Sequence, residues 1–341
     1  MKILNITYNK GDGGLEEMYL RFNSAFKALK WQVAGLMPKS AKLRSKVASQ
    51  GIQVICNNAI SSSMSAYNPF AVLSLRKQIK KFKPDIVILH NGRALPLIKK
   101  AIKNDCKLLV VHHGGKTENL EGANNIACIA NYMLEELSNS LISAPNLYYL
   151  PNFIEGIEPV RERKSKSDVL NVGFIGRLEK EKGVDILIQA ASEMPGPVCL
   201  HVAGDGSKKE ELIEKAKSLG VKANFIGWVI GEGKQKFFSN IDVLAVPSRY
   251  EPFGLVILEG WAAGIPVVAS RTKGAQELIE DNKNGLLFAL EDAHSLKDAL
   301  CHVAFEENEK MLAEASTSLS NYSKDEFGKK LEELCYKVKL S

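Results

Sequence analysis

Two glutamates, Glu251 and Glu259, stand with seven residues between them in the segment Pro247-Ser248-Arg249-Tyr250-Glu251-Pro252-Phe253-Gly254-Leu255-Val256-Ile257-Leu258-Glu259. The apolar run Asp242–Val246 precedes this segment and Pro266–Ser270 follows it. The pattern predicts a loop that turns into a helix at the C-terminal end of a parallel strand, the edge at which open α/β sheets bind ligands. Phe253-Gly254-Leu255 would open the helix, with Gly254 letting the backbone approach a ligand. Free backbone N–H groups there attract phosphate or developing negative charge. Glu251 then precedes the helix and Glu259 lies two turns inside it, so the two carboxylates can face one pocket from different depths. A glutamate before a helix is also a common dipole contact, but the unbroken pattern around this pair exceeds what that contact needs.

A second segment, Gly176-Arg177-Leu178-Glu179-Lys180-Glu181-Lys182-Gly183, follows the strand candidate Asn171–Ile175. Arg177 and Lys182, five residues apart and framed by glycines, can place two cations on one diphosphate. Lys180 and Glu181 read equally well as a solvated charge run. Other strand ends carry Gly204 in Ala203-Gly204-Asp205-Gly206, Val229 in Phe225-Ile226-Gly227-Trp228-Val229, and His112-His113-Gly114-Gly115. Gly11-Asp12-Gly13-Gly14-Leu15-Glu16 follows the first strand but lacks the G-x-G-x-x-G spacing of a dinucleotide fingerprint. No histidine or cysteine spacing suits a metal, and no D-x-D is present to hold a divalent ion on a diphosphate. Cationic side chains and helix N-termini are expected to do that neutralising, with no metal and no resident cofactor.

The elements that must position these residues alternate along the whole chain. Strand candidates in the first half are Lys2–Thr7, Gln32–Met37, Ile52–Asn57, Asp85–His90, Lys107–His112, Asn125–Ala130 and Leu147–Leu150. Those of the second half are Asn171–Ile175, Val198–Ala203, Ala223–Ile226, Asp242–Val246, Pro266–Ser270 and Gly285–Phe288. Amphipathic helical patterns such as Glu16–Leu29 and Pro69–Phe82 lie between them. The strands are continuous apolar runs, as parallel strands covered on both faces are, so each half is a βαβ series. At 341 residues two domains are the default. Their boundary is expected in Pro151–Asp168, a stretch with two prolines, a glycine and the charged run Arg161–Lys166, and with little to bury.

Hydrophobic residues make up 45% and charged residues 25% of the chain, an ordinary globular balance. The six scattered cysteines suggest free thiols in a reducing compartment. The first residues turn polar too soon for a secretory signal, and no apolar run approaches the ~20 residues that span a bilayer. The expectation is a cytoplasmic protein. Residues 1–164 carry 23 Lys and Arg against 12 Asp and Glu, while the remainder carries 22 against 27. Any single basic cluster, Pro38–Lys46 or Arg76–Lys83, reads as a solvated face. Together they make a basic half suited to an anionic membrane surface or an acidic acceptor, with Ile79 and Phe82 as an apolar foot. Nucleic acid is a poorer partner, because no DNA-binding motif or aromatic-interleaved basic stretch accompanies the charge.

The segment around Glu251 and Glu259 resembles the E-x7-E signature of retaining glycosyltransferases of the GT-B fold, family GT4, in its context P-S-x-x-E-P-F-G-L-x-x-L-E-x-x-A-x-G-x-P-V-V-A. Residues 173–183 resemble that family's G-R-L-x-x-x-K-G loop, and the match extends over residues 170–290. The first half is more weakly similar, in its glycine-rich loop, its histidine and a Pro151-Asn152-Phe153-Ile154 turn where Phe153 replaces the usual glycine. The resemblance implies an α/β fold of two Rossmann-like doubly wound domains facing across a cleft. Residues 1–155 would bind the acceptor and 165–320 the donor, with a C-terminal helix at 325–341 crossing back onto the first domain. It further implies a nucleotide-sugar donor (UDP-, GDP- or ADP-linked) and leaves the acceptor open: a glycan or lipid-linked acceptor such as lipopolysaccharide, a capsule, a protein or a small molecule. By the same resemblance Glu259 holds the ribose hydroxyls and Glu251 the donor-sugar hydroxyls. His113 supports the sugar, with His112 as its alternative. Arg177 and Lys182 take the diphosphate charge, helped by the backbone at Gly13, Gly14, Gly254 and Leu255. Gly204, Val229 and Phe253 complete the donor site. A GT-B nucleotide-sugar epimerase would share this architecture, but the E-x7-E context argues against it. A non-catalytic binding partner would be marked by loss of Glu251, Arg177 or Lys182, and all three are present.

Overall fold

The computed structural model describes residues 1–9, 13–103, 105–142, 144–160, 168–305 and 308–341. The chain divides into two compact units, Met1–Phe153 with Lys324–Ser341, and Ile154–Ser323.

In the first unit seven parallel strands are β1 (Lys2–Ile6), β2 (Gln32–Met37), β3 (Gln53–Cys56), β4 (Ile86–His90), β5 (Lys107–His112), β6 (Asn125–Cys128) and β7 (Asn146–Tyr149). They are ordered β3-β2-β1-β4-β5-β6-β7. Helices α1 (Gly14–Ala28), α2 (Arg44–Ser49), α3 (Pro69–Phe82), α4 (Leu95–Ile102) and α5 (Asn131–Ser140) connect them. The central strands are apolar on both sides because both sides are covered: Ile86, Val87, Ile88 and Leu89 are all fully buried. Each such side chain contributes about 1.5–3 kcal/mol by leaving water.

Helix α3 shows how local sequence sets an element's limits. The Asn68 side chain accepts from the backbone N–H of Phe70 and Ala71, at 2.9 and 3.3 Å, and Pro69 occupies the first turn, where its missing N–H costs nothing. Lys83 ends the helix in a left-handed conformation, and Pro84 cannot extend it. Leu75, Ile79 and Phe82 face inward. Ile79 is 1% and Phe82 6% exposed, so neither forms the outward apolar foot expected of this cluster. Their helical period places them on the core side.

The second unit holds β8 (Leu170–Ile175), β9 (Val198–Ala203), β10 (Lys222–Gly227), β11 (Val243–Val246), β12 (Val267–Ser270) and β13 (Leu286–Phe288). All are parallel, in the order β10-β9-β8-β11-β12-β13. Its helices are α6 (Val184–Ser192), α7 (Lys209–Ser218), α8 (Glu232–Phe238), α9 (Leu255–Ala262), α10 (Lys273–Leu278), α11 (Ala293–Phe305) and α12 (Glu309–Leu319). Val172, Leu187, Leu200, Val243 and Val268 belong to one continuous core.

Helix α13 (Lys324–Leu340) belongs to the first unit. Its Phe327 ring sits 4.5 Å from Phe153 and 4.9 Å from Phe22, centroid to centroid. Phe153 is fully buried, and its carbonyl accepts from Arg21 Nη1 at 2.7 Å. Pro151–Ile154 is therefore packed, not the solvated start of a linker, because the aromatic ring at 153 serves as an anchor for α13. The charged run Arg161–Lys166 lies outside the described residues. All six cysteines are free thiols.

Candidate functional site

In the second unit each predicted site residue follows the C-terminal end of a parallel strand. Arg177 comes after β8, Gly204 after β9, Val229 after β10, and Glu251, Phe253 and Gly254 after β11. Two of these loops are fastened together. Gly183 adopts a left-handed φ of 67°, and a Cβ there would stand 1.9 Å from the Pro247 carbonyl oxygen, so no other residue fits that approach. Arg249 closes the joint from the opposite loop. Its guanidinium forms two 2.8 Å bonds with the Asp185 carboxylate and a third with the Lys180 carbonyl oxygen. Its backbone N–H reaches the Glu181 carbonyl oxygen at 2.8 Å. A two-pronged guanidinium–carboxylate pair fixes direction as well as distance, so the loops carrying Lys182 and Glu251 behave as one piece.

Across that joint Lys182 Nζ donates to Glu251 Oε2 at 2.7 Å. Glu251 is only 9% exposed, and Ser248 Oγ donates to the same oxygen at 3.5 Å. Behind it the Glu251 carbonyl oxygen accepts from Gly274 N–H at 3.2 Å. Gly254, at φ 98°, turns the chain into α9, with Phe253 buried beneath and Leu255 as the first helical residue. Glu259 is the fifth residue of α9, so it lies little more than one turn inside rather than two. It is 4% exposed and accepts from Lys234 Nζ of α8 at 2.8 Å. The two glutamates are thus each matched to a separate lysine. Arg177 is exposed and lies near Glu179, whose carboxylate is held below its ordinary pKa chiefly by hydrogen bonds from Ser207. Val229 is half-buried, and Gly204 N–H donates to the Gly227 carbonyl oxygen at 2.8 Å.

In the first unit Gly13 has an extended backbone and Gly14 begins α1. Gly11 and Asp12 lie outside the described residues. A chain of hydrogen bonds runs from the sheet interior to His113. Asn5 Nδ2 donates to Asn23 Oδ1 at 3.0 Å, leaving Asn5 Oδ1 to accept from His90 Nε2 at 2.9 Å. With that proton on Nε2, neutral His90 accepts at Nδ1, which lies 2.8 Å from His113 Nε2. His113 therefore donates from Nε2 and keeps its lone pair on Nδ1. Asn91 fixes the backbone of His113, its Oδ1 accepting from the His113 N–H at 3.0 Å. Burial drives His90 well below the ordinary histidine range. It takes His113 down to about 3, with repulsion from His112 adding to it. Both rings are neutral at pH 7. His112 is buried at the end of β5, its pKa lowered by burial to about 4.

Four participants escaped sequence reasoning. Arg249 and Asp185 make the joint between the loops, Lys234 neutralises Glu259, and His90 sets the tautomer of His113. Arg249 lies inside the quoted motif, two residues before Glu251. His90 had a signal too: two strands, β4 and β5, that both end on histidine, and parallel pairing brings such ends to one edge. Lys234 sits in the mixed Gly231-Glu232-Gly233-Lys234-Gln235-Lys236 run, which offers no signal. Among the described residues no group of three or more His, Cys, Asp or Glu is placed to hold a metal ion.

Comparison with known proteins bears on the fold and the family. The family model described as glycosyl transferases group 1 matches residues 158–324. A lipopolysaccharide core biosynthesis glycosyltransferase of Rhizobium meliloti is 30% identical over 239 residues, covering 67% of this chain and 68% of that one. Among solved structures, the Anabaena protein HepE in complex with UDP and glucose superposes with a TM-score of 0.82 at 19% identity, over 98% of both chains. Sucrose-phosphate synthase from Thermosynechococcus elongatus gives 0.85 at 18% identity, over 99% of this chain and 98% of that one. The two parallel-stranded α/β units thus have the GT-B fold, and the chain belongs to the glycosyl transferases group 1 family and is a glycosyltransferase.

Proposed function

We propose that the protein moves a sugar from a nucleoside diphosphate sugar to a glycan acceptor, with retention of anomeric configuration and without a metal ion. The observation that carries this reading is the Lys182–Glu251 pair on its two fastened loops, beside the N-terminus of α9. The pair leaves neither charge buried alone. When a donor binds, Lys182 turns to the diphosphate together with Arg177, and Glu251 is released to the sugar hydroxyls. Glu259 takes the ribose hydroxyls while Lys234 keeps its charge balanced. Transfer builds positive charge at the anomeric carbon and negative charge on the leaving diphosphate. Once turned on donor binding, Lys182 and Arg177 meet the latter together with the first N–H groups of α9, so their reorganisation is spent before the reaction rather than during it. His113 offers its Nδ1 lone pair to a donor-sugar hydroxyl, in the tautomer that His90 imposes. A nucleotide-sugar donor is supported by the HepE neighbour, which holds UDP and glucose. A cell-surface acceptor of the lipopolysaccharide type is supported by the Rhizobium relative. The acceptor falls to the first unit and the donor to the second.

The test is a screen of UDP-, GDP- and ADP-sugars by saturation-transfer NMR, repeated with EDTA. One base class should bind with its base and ribose protons in close contact, and EDTA should leave binding unchanged. Absence of binding by every nucleoside diphosphate sugar rejects the reading, and a strict need for Mg²⁺ or Mn²⁺ rejects its metal-free form.

A further inference from the structure

The first unit carries an apolar and cationic face that holds none of the residues assigned to the donor. Met64, Tyr67, Phe70 and Leu73 are 70%, 77%, 82% and 61% exposed. Single exposed apolar residues are normal, but four large ones within ten residues make a patch of the kind that marks an interaction surface. The patch continues into charge along α3. At 100° per residue, Phe70, Leu73, Lys77, Lys80 and Lys81 fall within about one quarter of the helix circumference, opposite the buried Leu75, Ile79 and Phe82. Lys77, Lys80 and Lys81 are exposed. From the neighbouring α4, Lys100 Nζ lies 5.1 Å above the Tyr67 ring and donates to the Ala66 carbonyl oxygen at 3.0 Å.

Nothing acidic offsets this face in the chain around it. Residues 18–84 contain twelve Lys and Arg and no Asp or Glu. The acidic residues that follow are engaged: Asp85 with Lys339 and the Lys2 N–H, Asp105 with Arg76. No helix among the described residues is long and apolar enough to cross a membrane.

We propose that Met64, Tyr67, Phe70 and Leu73, with the Lys77, Lys80 and Lys81 stripe, form a docking face for an anionic lipid bilayer surface. The physical fit is specific. Protruding Phe, Leu and Met side chains enter the boundary between headgroups and acyl chains, and a tyrosine suits the headgroup level. Three lysines on the same helical stripe then meet the lipid phosphates, each adding to the attraction. The apolar end supplies the part of binding that salt leaves in place, and the cationic end the part that salt removes. This face stands independently of the donor reading.

Sedimentation with phosphatidylcholine vesicles, with and without phosphatidylglycerol, tests it using the full chain. Binding should require the anionic lipid and weaken as salt rises. Phe70→Ser with Leu73→Ser should lower the partition coefficient by about tenfold or more, and Lys77→Glu with Lys80→Glu and Lys81→Glu by at least as much. Both variants change exposed side chains only, and unaltered thermal unfolding by circular dichroism confirms that they fold. Protein that stays in the supernatant at low salt overturns the proposal. So does unchanged binding by the serine variant, which would mean charge adsorption alone. A dimer that the serine variant dissociates, without vesicle binding, overturns it in favour of self-association.

Discussion

Lys182→Met separates two jobs that one lysine performs. Methionine keeps most of the side-chain volume and removes the charge. In the substituted protein the carboxylate of Glu251, a residue 9% exposed, is left among the described residues with the 3.5 Å contact from Ser248 Oγ. Breaking a fully buried ion pair costs about 3–5 kcal/mol, because the remaining charge is stranded. The Lys182 side chain is 22% and the Glu251 side chain 10% exposed, so solvent relieves part of that, and a loss of about 1–3 kcal/mol is expected. Lys182→Met with Glu251→Gln removes the stranded charge and should recover most of the stability in urea unfolding. Activity should behave differently. Loss of one charge contact to the leaving diphosphate lowers kcat/KM by a factor on the order of 10²–10³, and the second substitution should restore none of it. Near-normal turnover in Lys182→Met, or a double variant no more stable than the single one, would refute the reasoning.

Three further outcomes follow from the same geometry. Arg249→Ala, which touches no proposed substrate position, should lower kcat by about tenfold or more through misplacement of the Lys182 loop, and Arg249→Lys should restore little because it cannot form both bonds to Asp185; steady-state kinetics on both variants checks this. Lys234→Met should raise KM for the donor more than it lowers kcat, since Glu259 would meet the ribose without its counter-charge; equal effects on both constants would contradict that role. Stability should fall on acidification below pH 6.5. His112 and His113 titrate near 4 and 3 in the folded chain but near 6.5 when unfolded, so between these values the unfolded chain binds the extra protons. Each contributes a loss of up to about 1.4 kcal/mol per pH unit; urea midpoints at pH 7.0 and 5.5 should show a smaller drop in His112→Gln than in the unaltered protein.

What the sequence disclosed, and what it withheld, follows from the range of the forces involved. Both sheets were legible because their central strands are apolar on both faces, and the periodicity of Pro69–Phe82 matched α3 residue for residue. The Glu251 loop was legible because its residues are contiguous and their order is distinctive. Partners that meet only through the fold were hidden. Lys234 and Glu259 are 25 residues apart, Arg249 and Asp185 are 64 apart, and no local pattern announces either pair. Ile79 and Phe82 were placed outward because the basic cluster was read as one surface, whereas helical phase sends them into the core and brings Phe70 and Leu73 out. The tautomer of His113 depends on Asn5, 85 residues from its partner His90, which only the fold brings together.

The central claim is that the second unit, through Lys182 and Glu251, supports sugar transfer from a nucleoside diphosphate sugar. The most direct measurement is transfer of isotope-labelled sugar from the donor found by NMR to glycans in a cell extract. Mass spectrometry would read the product, and nucleotide release would be recorded in the same reaction. The account predicts a product heavier by one sugar residue, formed in equal amount to the nucleoside diphosphate, with the donor's anomeric configuration and lost in Lys182→Met. Nucleotide released without any glycosylated product, or full product formation by Lys182→Met, would contradict it.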